Sequence, residues 1–270
     1  MDELHAWLTR RSQGFSEWLD AWVRVSRFAM TALIGMLSPA TYNKATRLVV
    51  QKQIYFTAWQ ILPGFALFAG LFSFLIIEIV GSTARTYGLY EYALELIVRI
   101  LVLEILPLLT ALFVALRTGA AINTEVALMK IQNELDALQR IGIDPMRLEL
   151  LPRVVGGTIS VLALTAVNMV VALWLTHLLI IDFHPWTLTA GDFTRMIGKV
   201  LDMPALIVLW AKTLAFGFAV TVIPISEGLS TPQKLFHAPI SVLRGMVRLF
   251  FSLMLIEAAY ICASFDIMET

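Results

Sequence analysis

An all-α, polytopic membrane protein is the fold class this sequence predicts, and three observations predict it. Hydrophobic residues make up 59% of the 270 positions while charged residues make up only 15%. Five apolar runs reach about 20 residues, the length that crosses a hydrocarbon core of about 30 Å as a helix. None of the runs alternates apolar with polar side chains, as barrel strands do, and in lipid a backbone that is not in a barrel must bond to itself as a helix.

The chain divides by composition into an N-terminal part, residues 1–50, and a membrane part, residues 51–270. The first residues carry Asp2, Glu3, Arg10 and Arg11 and have no apolar core of signal-peptide type, so cleavage is not expected. From Gly14 to Leu37 the charges Glu17, Asp20, Arg24 and Arg27 recur at spacings of three and four, with Phe15, Trp18, Leu19, Trp22 and Phe28 between them. That pattern predicts an amphipathic helix at the interface, its tryptophans at headgroup depth. The spans follow at roughly 54–79, 96–116, 154–181, 205–225 and 247–265. In the fourth, Ala211, Ala215 and Ala219 lie four apart, a small-residue stripe along which another helix can pack closely. Cys262, the only cysteine, falls in the fifth and excludes an intramolecular disulfide.

Orientation is read from Lys and Arg in the connections. Lys44, Arg47 and Lys52 precede the first span; Arg117, Lys130, Arg140, Arg147 and Arg153 occupy the 117–153 connection; Lys234, Arg244 and Arg248 lie between the last two spans. The other connections hold Arg85 alone, or Arg195 and Lys199, and no basic residue follows Phe265. This places the N-terminus inside and the C-terminus outside.

The 117–153 connection contains a polar island, Asn133 to Pro145, between two long apolar spans. Leu135, Leu138 and Ile141 recur every three residues while Glu134, Asp136, Gln139 and Arg140 point elsewhere, which predicts a short surface helix. Gly142 suits a helix stop, and Asp144 followed by Pro145 suits an N-cap with proline at the first helical position. The predicted segment is helix, sharp turn, helix.

Glu134-Leu135-Asp136-Ala137-Leu138, Gly142-Ile143-Asp144-Pro145 and Pro152-Arg153 closely resemble the signature of the MlaE permease family, the transmembrane subunits of ABC transporters linked to mammalian-cell-entry (MCE) proteins. The likeness extends to Leu116 through Ala121, to Thr124-Glu125-Val126, to Glu104 and Pro107, to Lys52-Gln53-Ile54-Tyr55 and to Lys212, covering about Arg47 to Phe265. Two stretches depart. Leu103-Glu104-Ile105-Leu106-Pro107 stands where the family has Arg-Glu-Leu-Gly-Pro, and residues 238–245 replace a Gly-x-Gly-x-Ala-Thr element. The resemblance implies an inner-membrane permease of a bacterium that works as a dimer, either homodimeric or heterodimeric. Two cytosolic ATPase subunits that bind ATP and Mg would sit on its inner face, an MCE ring would sit on its outer face, and a phospholipid or related lipid would occupy a cavity between the two permeases. No nucleic-acid partner is expected.

The residues fit that division of labour. There is no Gly-x-x-x-x-Gly-Lys-Ser/Thr motif; the one Gly-Lys, Gly198-Lys199, continues into Val200. No catalytic or cofactor-binding residue is therefore assigned to this chain, and Glu134, Asp136, Leu138, Arg140, Gly142, Asp144 and Pro145 are assigned to contact with an ATPase. Ionisable groups in lipid cost about 2.5–3.5 kcal/mol or more each, so Glu78, Arg99, Glu104, Lys212 and Glu257 need partners. Glu104 and Lys212 are the preferred pair facing a lipid cavity, and Lys52, Arg99 and Arg244 are further candidates for a lipid phosphate. Two other classes remain open. Glu78, Glu104 and Glu257 could form the proton relay of an ion-coupled secondary transporter. His177, Asp182 and His184 could form the metal site of a membrane lipid enzyme, although their spacing follows no zinc motif and no metal is expected.

Overall fold

The computed structural model describes residues 2–38, 41–182 and 190–268, and the described residues are helical almost throughout. Eight helices can be followed: α1 (Asp2–Leu37), α2 (Thr46–Tyr87), α3 (Tyr92–Ile131), α4 (Glu134–Arg140), α5 (Met146–Ile180), α6 (Ala190–Val200), α7 (Met203–Leu229) and α8 (Ala238–Met268). Helices α2, α3, α5, α7 and α8 are long and apolar enough to cross a membrane. The protein is a multi-pass membrane protein.

The long helices run well past the apolar runs that predicted them. The 42 residues of α2 reach about 63 Å at 1.5 Å per residue, roughly twice a hydrocarbon core. Most of the 80–95 connection is therefore helical. Gly88 and Leu89 break it, Gly88 at φ +71 with its backbone N–H bonded back to the Ala84 carbonyl. Hydropathy locates lipid contact, and a helix does not have to stop where lipid stops.

Proline accounts for most of the irregular turns; the widened turn at Ala115–Gly119 has no proline just after it. Widened π-type turns occupy Tyr55–Trp59, Ile97–Ile105 and Met146–Leu150. Each lies just before a proline, Pro63, Pro107 or Pro152. A proline ring displaces the carbonyl four residues earlier and supplies no N–H, and a wider turn lets the freed carbonyls bond elsewhere.

Helix α1 buries a narrow face, Ala21, Val25 and Ala32, and leaves Leu19, Met30, Leu33 and Ile34 exposed. It closes on α5 at Gly35, where a Cβ would stand 2.5 Å from Leu151 Cδ1. Phe65, Phe216, Val154, Val220, Leu249 and Leu253 belong to the core that α2, α5, α7 and α8 share.

Along the alanine stripe burial rises from Ala211, which is exposed, through half-buried Ala215 to Ala219, which is part of the core. Gly217, on another face of α7, meets the backbone of α5. A Cβ at Gly217 would lie 2.9 Å from Thr158 Cα and 3.0 Å from its carbonyl oxygen. Neither atom can rotate away. Gly217→Ala is expected to destabilise the protein by about 1–3 kcal/mol through overpacking, read as a lowered thermal midpoint in nanodiscs, with Ala215→Gly as a milder control.

Candidate functional site

Two constellations stand out, one deep in the bundle and one on the α3–α5 connection. In the first, Lys212 of α7 is 2% exposed and its ammonium sits between two carboxylates. It donates to Glu104 of α3, and it stands 3.3 Å from Glu257 of α8. Glu257 is buried, and Glu104 is the member that reaches the surface, with 30% of its side chain exposed. Burying a single charge is prohibitive and a pair is tolerable only when well placed. The expected Glu104–Lys212 pair thus becomes a three-membered cluster. Glu257 joins it from 45 residues away in sequence, and no spacing linked the two.

The widened turn Ile97–Ile105 carries Glu104. Leu106 and Pro107 behind it are buried, and the turn before Pro107 sets the direction in which Glu104 projects. The remaining candidate cations lie elsewhere. Lys52 is exposed on α2. Arg99 pairs with Glu95 at 3.2 Å and lines a groove of about 530 Å³ with Tyr87, Tyr92 and Ile79. Arg244 is exposed and lines another of about 520 Å³ with Trp18, Trp22, Arg248 and Phe251. None of the three joins Lys212. Glu78 is paired with Arg85 at 2.7 Å. His177 stands edge-on to the Phe193 ring at 5.0 Å. His184 lies outside the described residues, and among those described no three His, Cys, Asp or Glu side chains converge as a metal site would need.

The second constellation is the polar island. Asn133 takes a left-handed backbone at φ +60, turning the chain out of α3, and α4 follows over Glu134–Arg140. Gly142, at φ +81, ends it: Gly142 N–H donates to the Gln139 carbonyl and Ile143 N–H to the Leu138 carbonyl, each at 3.0 Å. These two bonds form a Schellman stop, which requires a residue at ease with positive φ. Asp144 Oδ1 accepts from the Met146 N–H at 3.0 Å, capping α5 with Pro145 in the first position. Arg147 pairs with Asp144 at 3.4 Å.

The face of α4 departs from the three-residue pattern. Leu135 is buried and Leu138 half-buried, but Ile141 is 70% exposed, with Ile143 exposed beside it. Glu134 and Arg140 are exposed, Asp136 is half-buried, and among the described residues none of the three has an ion-pair partner. The base of the loop is rigid. Arg153 of α5 holds Glu125 of α3 at 2.7 Å and Glu149 at 3.3 Å, and Asn133 Oδ1 accepts from Gln233 Nε2 of the α7–α8 turn at 2.8 Å. An exposed helix carrying unpaired charges and bare isoleucines on a braced platform is suited to receive another protein.

A polar network missed by the sequence reading lies beneath this platform. Asn123, fully buried on α3, donates to the Ser241 carbonyl at 3.4 Å and accepts from Ser241 Oγ at 3.2 Å. Thr231 Oγ1 donates to Ser241 Oγ at 2.8 Å, and Glu227 pairs with Arg248. The only cue in sequence was uncharged polar residues near span ends.

The family profile described as Permease MlaE matches residues 50–262. The Haemophilus influenzae intermembrane phospholipid transport system permease protein MlaE is 29% identical over 190 residues, covering 66% of this chain and 72% of that one. A probable ABC transporter permease protein of Rickettsia typhi is 25% identical over 202 residues, 74% of this chain and 75% of its own. A further probable ABC transporter permease protein, from Synechocystis, is 28% identical over 128 residues, 47% of this chain and 48% of its own.

Proposed function

Because this chain belongs to the MlaE permease family, we propose that it is the membrane-spanning subunit of an ABC transporter that moves a phospholipid or related lipid between a bacterial inner membrane and an MCE-type partner on the outer side. The observation that carries the lipid reading is the Glu104–Lys212–Glu257 cluster, a set of opposed charges inside an otherwise apolar bundle. A zwitterionic headgroup can replace each internal contact, its phosphate taking the Lys212 ammonium and its own cation taking Glu104 or Glu257. The relative from Haemophilus influenzae carries phospholipid transport in its name, which supports the same substrate class.

Positively charged connections at 117–153 and between α7 and α8 support an inside location for α4. There it would meet the ATPase, with Glu134, Asp136, Leu138, Arg140, Gly142, Asp144 and Pro145 forming or shaping the contact. The ATPase, with its ATP and Mg, would be a separate chain, and a second permease copy would complete the lipid cavity. Lys52, Arg99 and Arg244 are then peripheral cations for lipid phosphate at the membrane surfaces.

The test is transfer of a labelled phospholipid from proteoliposomes holding permease, ATPase and MCE partner. Transfer should require ATP and the ATPase subunit and should survive a protonophore. Transfer that proceeds without ATP and collapses with a protonophore would instead establish an ion-coupled carrier.

A further inference from the structure

Three helices converge on Asn123, closely enough that two of them meet it through glycine. A Cβ at Gly245 of α8 would lie 2.5 Å from Asn123 Nδ2, and one at Gly228 of α7 would lie 2.9 Å from the Asn123 carbonyl oxygen. The hydroxyls around it are shared. Ser241 Oγ lies 3.2 Å from Asn123 Oδ1 and 3.1 Å from the Glu227 carbonyl oxygen, and it accepts from Thr231 Oγ1, which stands 3.2 Å from that same carbonyl. Asn123, Thr231, Ser241 and Glu227 are all buried. Buried networks of this kind are rigid because any displacement leaves several partners unsatisfied at once.

The same junction is fastened to both constellations. Asn123 lies eight residues, about 12 Å, above the end of α3, after which α4 begins. The α7–α8 turn is tied to the start of α4 by Gln233 and Asn133. In the other direction α7 and α8 run antiparallel and are held by two ion pairs of opposite polarity: Glu227 of α7 with Arg248 of α8, and Lys212 of α7 with Glu257 of α8. Sliding one helix a turn past the other would break both pairs, so the two move as one body. Ser241 is 16 residues, about 24 Å, from Glu257 along α8.

We propose that Asn123, Thr231, Ser241 and the Glu227–Arg248 pair form a mechanical junction that delivers displacement of α4 to the Lys212 cluster. They are positioning residues: Asn123, Thr231, Ser241 and Glu227 are buried, and none of the set belongs to α4 or to the Lys212 cluster. The proposal rests on the ABC-permease reading, and it adds the path by which force applied at α4 reaches the charges that hold a headgroup.

The experiment uses the complete complex in proteoliposomes and reads phospholipid transferred per ATP hydrolysed. Thr231→Val keeps the shape of the side chain and deletes its hydroxyl, Thr231→Ser keeps the hydroxyl, and Ser241→Ala removes the central group. Thr231→Val and Ser241→Ala should lower transfer per ATP at least fivefold while the complex stays assembled and continues to hydrolyse ATP; Thr231→Ser should match the wild type. A double-mutant cycle pairing Ser241→Ala with Glu257→Gln supplies the readout a purely structural role would not move. Sites this far apart add independently in thermal stability, yet their effects on transfer per ATP should be non-additive. Wild-type transfer per ATP in both Thr231→Val and Ser241→Ala, or additive effects in the cycle, overturns the junction. Failure of the wild-type complex to move lipid with ATP would sink the transporter reading instead.

Discussion

Lys212→Ala is expected to be the most damaging single substitution in the protein, costing about 3–5 kcal/mol of stability and abolishing lipid transfer. The reason lies in what it leaves behind. Glu257 is buried, and Glu104 points into the same site, so removing the ammonium strands two carboxylates against each other with no counter-charge. Removing one partner of a buried ion pair costs several kcal/mol, whereas replacing the whole set by neutral groups of similar shape is often neutral or better. That asymmetry separates structure from function. The triple variant Glu104→Gln, Lys212→Met, Glu257→Gln should regain most of the lost thermal stability in nanodiscs while remaining inactive in ATP-driven lipid transfer. Photo-crosslinking of lipid from a probe placed at position 108, one turn from Glu104 on α3, should fall in parallel. A triple variant that transfers lipid at the wild-type rate would show that the cluster serves packing alone.

What the sequence disclosed and what it hid divide along a physical line. Hydropathy over 20 residues is a local quantity, and it found all five membrane-crossing helices. It did not mark where the helices end, because Thr46–Tyr87 and Tyr92–Ile131 continue beyond the apolar runs, where only propensity and capping operate. Turn chemistry is local too, so Gly142, Asp144 and Pro145 were legible residue by residue. Pairing across the bundle is not local. Lys212, Glu104 and Glu257 were singled out among the charges that needed partners, but nothing in the spacing of 104, 212 and 257 says that three separate helices bring them together. Asn123 and Ser241 are 118 residues apart and uncharged, so they carried no such flag. The close backbone approaches of α7 were hidden for a related reason: Gly217 and Gly228 meet Thr158 and Asn123 across the bundle, and a lone glycine in a span carries no periodic signal of the kind that Ala211, Ala215 and Ala219 gave.

Charge reversal at Glu134 or Asp136 should leave the permease folded and cut phospholipid transferred per ATP by at least tenfold. Both residues lie in the first turn of α4, where a carboxylate also favours the positive end of the helix by about 0.3–1 kcal/mol. The fold loses no more than that, since Glu134 is exposed, Asp136 is half-buried and neither has an ion-pair partner among the described residues. Leu135, the buried anchor of α4, is untouched, as are the Schellman stop at Gly142 and the Arg153 brace. A loss of coupling with an unchanged thermal midpoint therefore reports the contact surface and not the scaffold. A tenfold loss corresponds to about 1.4 kcal/mol, within reach of one desolvated charge pair at an interface. Ile141→Ser should weaken association with the ATPase in the same assay, because its side chain is 70% exposed and gains burial only in the complex. Wild-type coupling in Glu134→Arg and Asp136→Arg alike would place the ATPase contact somewhere other than α4, and force would then have to enter the bundle by a route that bypasses Asn133 and the junction beneath it.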